Sequence, residues 1–281
     1  MADPLEMFGE VYGSAKSLMR FREENYACPF DPGIKDGLCS KCVRGSGLPA
    51  KSGNCSLVDQ KGSHIICPHR FYDDGYRILR EVKDFVWGDT PAHMHKEMKL
   101  RGKVADFGFG SLDWLITRRD GRSGFIGVEI QSNATTGTGG VGRAIRHLLE
   151  NNPGRGYGVG INSLDTVKRF MTQFIFKGQL FDKWKMPYVA IMQDRLWDVM
   201  SKKFRIRSHT TTEYCGETFL FFIYALEWNG RAYTLQRTAI RSGRWIDFLF
   251  AYAVDTDLLP TRNDVERDIK IKTGEPPVLT F

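Results

Sequence analysis

The stretch from Ser111 to Ser132, SLDWLITRRDGRSGFIGVEIQS, leaves few ways for its surroundings to fold. It reads as two antiparallel strands, 112–117 and 125–131, joined through the turn-forming pair Asp120-Gly121. Successive side chains of a strand point to opposite faces, so Leu112, Trp114 and Ile116 share one side and Asp113, Leu115 and Thr117 the other. On the second strand Ile126, Val128 and Ile130 form an apolar side, which leaves Glu129 and Gln131 together on the reverse. A hairpin with so apolar a back belongs in a core, yet its other face carries two carboxylates. Buried charges are costly unless they are paired, protonated or bound to a cation. A divalent metal held by Asp113 and Glu129 resolves the conflict; a solvated sheet face is the plainer alternative.

The rest of the chain is large enough to supply that core. Its 281 residues suit one large domain with a small appended module, 42% of them are hydrophobic, and 12% are aromatic. The formal charge of +7 permits a polyanionic partner without requiring one. No apolar run approaches the length of a membrane span, and the start, MADPLEMFGE, has neither a basic leader nor an apolar stretch, so a cytoplasmic protein with no membrane partner is expected. Six cysteines in a reducing compartment then argue against a disulfide framework.

Five of those cysteines, Cys28, Cys39, Cys42, Cys55 and Cys67, lie in a Gly- and Pro-rich segment with almost no apolar periodicity. Such a segment cannot order itself by burial alone, and a tetrahedral thiolate site on zinc or iron is the natural cross-link. Cys215 stands apart and reads as a core thiol. Helices are expected over 11–24, over 71–87 with Tyr76, Leu79, Val82 and Val86 inward, over 163–184 and over 196–204, with strands over 188–193, 219–227 and 232–238. A final buried helix is expected within 243–254 and a charged helix over 261–272. The glycine-rich SNATTGTGGVG, 132–142, suits either a phosphate-cradling loop or a flexible connector ahead of a helix that uses Val141, Ile145, Leu148 and Leu149.

The strings CPF at Cys28, CSK at Cys39, NCSL from Asn54 and IICPHRF from Ile65, with the later Asp113, Glu129 and Gln131, resemble the NotI-like type II restriction endonucleases. The likeness covers roughly residues 25 to 135. It implies an α/β protein with a restriction-endonuclease-like (PD-D/ExK) mixed central sheet flanked by helices, at 71–281, behind an N-terminal helix and four-cysteine module at 1–70. It further implies Cys28, Cys39, Cys55 and Cys67 as ligands of one structural iron, with zinc equally acceptable to thiolates. Cys42 is an extra cysteine that competes with Cys39 for the second place. The family's Glu-x-Lys would here be Glu129-x-Gln131.

The activity implied is Mg-dependent hydrolysis of double-stranded DNA at a GC-rich palindrome, with a CGGCCG-like core, leaving a 5'-phosphate and a 3'-hydroxyl. Asp113 and Glu129 would hold Mg and Gln131 would position water or phosphate. Glu97 and Asp106 are further candidates for the acidic set. A palindrome implies a homodimer, since each subunit then meets an equivalent half-site. Arg122 at the hairpin tip is placed to read guanine in the major groove, and Arg118 and Arg119 to contact phosphate. Two other readings compete: a non-catalytic metal-containing DNA-binding protein, which leaves the two carboxylates unexplained, and an iron-sulfur redox protein.

Overall fold

The computed structural model describes residues 8–11, 14–15, 28–31, 33–34, 39, 53–101, 108–137, 140–141, 143–144, 147, 157–204 and 206–251. Its strands are β1 (Phe8–Val11), β2 (Ser14–Ala15), β3 (Asn54–Asp59), β4 (Gly62–Ile65), β5 (Ala92–Arg101), β6 (Gly108–Arg118), β7 (Phe125–Gln131), β8 (Ala134–Thr136), β9 (Gly160–Asn162), β10 (Tyr188–Gln193), β11 (His209–Thr210), β12 (Phe219–Trp228) and β13 (Tyr233–Gly243). The helices are α1 (Asp73–Trp87), α2 (Ser163–Trp184), α3 (Asp194–Lys203) and α4 (Trp245–Ala251). A seven-stranded mixed sheet in the order β11-β13-β12-β10-β7-β6-β5 forms the centre of an α/β fold. The pairs β7–β10 and β10–β12 are parallel, and the outer pairs are antiparallel.

The parallel strands are buried along nearly their whole length, as expected of strands covered on both faces. One face packs on α1: Leu79, Val82 and Val86 meet Ile126, Val128, Ile130, Val189, Ile191, Leu220 and Phe222. The other packs on α2, α3 and α4, where Phe170, Phe174, Phe181, Leu196 and Phe248 meet Tyr188, Ala190, Phe219 and Phe221. Helix α2 starts where Asn162 accepts a hydrogen bond from the Asp165 N–H at 3.1 Å, with Asp165 in its first turn. It ends at Lys185 in a left-handed conformation, two residues before Pro187.

The contact between α2 and β7 is tight. A Cβ placed on Gly127 would lie 2.2 Å from Cζ of Phe181, which is itself stacked on Tyr188 with a centroid separation of 4.8 Å. Gly127→Ala is therefore expected to destabilise the fold by about 3 kcal/mol, the upper end of ordinary overpacking. Urea denaturation measures it, and an unchanged midpoint would mean that Phe181 yields freely.

The first residues depart from expectation. The helix expected over 11–24 is replaced, where the chain is described, by β1 and β2 in a four-stranded sheet of order β2-β1-β3-β4. Pairing with β3 outweighs the helical spacing, and Gly9 permits it, since a Cβ there would stand 2.6 Å from Oγ of Ser56. Two buried links tie this region to the rest. Glu10 and Arg70, each 1% exposed, form an ion pair at 3.0 Å. Gln193, at the end of β10, donates to the Ser63 carbonyl at 2.7 Å and accepts from the Ile65 N–H at 2.8 Å.

Other expectations need adjustment. Cys215 is exposed, because it lies in the polar loop before β12 rather than in the core. The stretch expected to be one helix from 71 is a 3-10 turn over Pro68–Tyr72 followed by α1, with positive φ at Asp74, Gly75 and Tyr76. The glycine-rich segment contains β8, which pairs with β9. Residues 145, 148 and 149 and the charged helix expected over 261–272 lie outside the described residues. No helix among the described residues is long and apolar enough to cross a membrane.

Candidate active site

The site is built where the β6–β7 ladder opens. Its pairing runs from Thr117–Phe125 to Trp114–Val128 and stops there. At the next residue the Asp113 side chain takes over from the backbone, with Oδ2 accepting from the Ile130 N–H at 2.7 Å. The departure of β6 also explains Leu112. It is fully buried, but it packs with the core on the α2 side rather than with Trp114 and Ile116.

Asp113 and Glu129 face a cleft of about 420 Å³ between the sheet and α2, lined also by Gly108, Gly110, Ser111, Thr172, Gln173, Phe176 and Lys177. Glu129 is 3% exposed. Burial and the neighbouring charge of Asp113 push its carboxyl up to about 7, against the pull of Lys177. The Asp113 carboxyl is also raised, chiefly by burial, with the Ile130 N–H and Lys177 opposing and Glu97 adding to the rise. Burial thus raises both carboxyls and the Asp113 charge raises Glu129 further, so the two share a site that disfavours their ionisation. Tyr188 adds a buried hydroxyl with no hydrogen bond of ordinary geometry, close enough to Glu129 for the two to perturb one another.

Lys177 was not legible as a site residue from the hairpin alone. Its Nζ donates to Glu129 Oε1 at 2.5 Å and to the Ser111 carbonyl at 2.6 Å. A signal was present in the sequence: Val167, Phe170, Met171, Phe174 and Phe181 mark the buried stripe of α2, and Lys177 falls on it. Gln131 sits one pleat beyond Glu129, half-buried and outside the residues lining the cleft. Glu97 is exposed on the edge strand, with a positive φ of 54°, and its nearest tie to the site is its charge acting on Asp113. Asp106 lies outside the described residues.

The hairpin tip is organised differently from the expectation for its arginines. Arg118 pairs with Asp120, Nε to Oδ1 at 3.0 Å, and lies over the Trp87 ring at 5.3 Å. Arg119 and Arg122 are exposed, and the Arg122 N–H closes the turn on Asp120 Oδ1.

Cys28 and Cys55 pack with the core on the α1 side. Cys39, Cys55 and Cys67 are buried and Cys28 is half-buried. The Cys67 N–H donates to the Cys55 carbonyl at 3.3 Å. The Cys28 thiol is raised first by burial and also by the nearby Cys39, and its Sγ lies 3.9 Å from His69 Nδ1. Asp31 anchors this region to β5 through Lys96 at 2.6 Å and to α1 through the Tyr76 hydroxyl, which donates to it at 2.8 Å. Although burial works against it, Lys96 and Tyr76 hold the Asp31 carboxyl below its usual range. Among the described residues no three His, Cys, Asp or Glu side chains stand close enough to hold an ion, and Cys42 lies outside them. No protein-family model matches the chain, and no curated protein matches it either.

Proposed function

We propose that the protein is a Mg-dependent type II site-specific endonuclease with a restriction-endonuclease-like core, acting as a homodimer on double-stranded DNA in a prokaryotic cytoplasm. The observation that carries this reading is the convergence of Asp113 and Glu129 at the opening of the β6–β7 ladder, in a cleft where both carboxyls resist ionisation. Such a pair fits a hard divalent cation, which prefers carboxylate oxygens. When bound, Mg would polarise the phosphoryl oxygens and lower the pKa of a bound water.

The chain's own contribution is orientation. The Ile130 N–H fixes one Asp113 oxygen and leaves the other for the cation; Lys177 takes Oε1 of Glu129 and leaves Oε2. In the reaction a water oxygen bonds to phosphorus as the bond to the 3'-oxygen breaks. The proton lost by the water passes through solvent to the 3'-oxygen, giving a 5'-phosphate and a 3'-hydroxyl. Thiolates favour a soft ion, and the resemblance implies one structural iron or zinc on Cys28, Cys39, Cys55 and Cys67, although these side chains do not stand close enough together here to hold it. The polar hairpin face alone would not separate a nuclease from a binding protein, but like charges buried in a cleft would repel phosphate unless a cation intervened.

The test is incubation of plasmid and phage DNA with the purified protein, with and without Mg. Discrete fragments whose ends map to one GC-rich palindrome, CGGCCG-like, support the reading. A mobility shift with intact DNA in Mg would replace it with a non-catalytic DNA-binding protein.

The hairpin tip offers a second measurable expectation. With Arg118 engaged by Asp120 and Trp87, Arg122 is the better placed of the two to enter a major groove. Arg122→Ala is expected to weaken cognate binding by about 1–3 kcal/mol, the range of a bidentate guanine contact, with little change on random duplex. Equal losses on both duplexes at one salt concentration would make Arg122 a phosphate contact.

A further inference from the structure

We infer that Lys177 is a catalytic residue of this site, its ammonium group binding a non-bridging oxygen of the scissile phosphate; the inference rests on the nuclease reading above. Three observations lead to it. Lys177 is 4% exposed in the middle of α2, at a position where the apolar stripe calls for a hydrophobic side chain. A buried lysine is costly there, and a purely structural helix position has no need of one. It is also the one cation among the described residues lining the cleft.

The third observation concerns its present partners. An ammonium has three donors, and Lys177 uses two, on Glu129 Oε1 and the Ser111 carbonyl, with no further acceptor among the described residues. Its hold on Oε1 orients Glu129, but it would also set a positive charge beside a divalent cation on the same carboxylate, and like charges repel. An amine that only neutralised Glu129 would work against the site. An amine that also has an anionic phosphate oxygen to turn to does not, and that acceptor arrives with the substrate.

The helix allows this without moving. Gly178 seats α2 against β12 and α4, since a Cβ there would stand 2.8 Å from Phe219 and 3.0 Å from Trp245. The backbone is thus fixed and the four-carbon stem supplies the reach. In this role the Lys177 ammonium donates hydrogen bonds to charge that grows on the phosphoryl oxygens.

The experiment compares wild-type protein with Lys177→Met in four measurements: single-turnover cleavage of phage DNA in Mg, Mn binding by paramagnetic resonance, duplex binding in Ca, and thermal melting. Lys177→Met is expected to slow cleavage about 100-fold or more, the scale of losing one charge-stabilising donor. Mn binding should be unchanged or tighter, and duplex binding within about threefold. Replacing the contacted phosphate oxygen by sulfur should slow the wild type further but add little in Lys177→Met, a signature that a structural lysine would not give.

Cleavage by Lys177→Met within about threefold of wild type overturns the inference, as does loss of Mn binding in a folded variant. If the melt shows Lys177→Met unfolded, Lys177→Gln is judged by the same criteria. A wild-type protein that leaves DNA intact overturns the nuclease reading and this inference with it; a wild type that cuts alongside an equally active variant overturns this inference alone.

Discussion

Asp113→Asn and Glu129→Gln are each expected to lower Mg-dependent cleavage by about three orders of magnitude, while duplex binding in Ca persists. Each change removes one of the two carboxylates that face the cleft, buried Glu129 or half-buried Asp113, and leaves its shape nearly intact. The two variants should differ in stability. Asparagine at 113 can still accept from the Ile130 N–H and relieves a repulsion with Glu129, so its cation-free melt should be no lower than wild type. Glutamine at 129 leaves Lys177 buried beside a neutral amide and should melt lower. Because Glu129 keeps its proton up to about 7, divalent binding should release a proton and weaken as the medium falls from about pH 8 to about pH 6. Calcium titrations at the two values check the sign. Full cleavage activity in either variant would remove both residues from the reaction.

Arg70→Met is expected to destabilise the fold by about 3–5 kcal/mol, the cost of breaking a buried ion pair from one side. The guanidinium donates to both Glu10 oxygens at 3.0 Å, to Asp73 at 2.9 Å and to the Tyr233 carbonyl at 2.8 Å, and it lies 4.5 Å from the centre of the Phe30 ring. One side chain thereby joins β1, the start of α1, β13 and the cysteine segment. Burial already holds the Glu10 carboxyl above its usual range against Arg70, so loss of the arginine leaves a charge with little compensation. The double variant Glu10→Gln with Arg70→Met should lose less than the sum of the single losses. A loss of under about 1 kcal/mol by urea denaturation in the single variant would mean that Glu10 finds another partner.

What could be read from the residues alone follows from how each is buried. Strands β7, β10 and β12 carry unbroken apolar runs or clean alternation, and α2 has an unambiguous stripe, Asn at its start and Pro beyond its end; these fall where the pattern puts them. Strand β5, AHMHKEMKLR, is an edge strand that sets Ala92, Met94, Met98 and Leu100 against His93, His95, Glu97, Lys99 and Arg101, so a period of two was there to be read, weakened by Lys96 on the apolar side. β1 was masked by helical spacing that its partner β3 overrides. The pairing of Asp113 with Glu129 was legible because both lie on one hairpin. Lys177 was not, because it reaches the site from 48 residues further along the chain and alternation within a hairpin says nothing about what a helix lays across it.

That distance bears on when the protein becomes competent. Strands β7 and β10 are parallel neighbours, so they cannot be joined by a tight turn and must await the segment that carries α2. Loop closure of this kind is slow compared with hairpin formation, and the hairpin β6–β7 can pair before it. A nascent or partly unfolded chain therefore has its two carboxylates on a ribbon with one side open to water, without the wall that Phe176 and Lys177 provide. The cleft exists only once α2 has docked on the sheet, so any activity of the site waits on that long-range step.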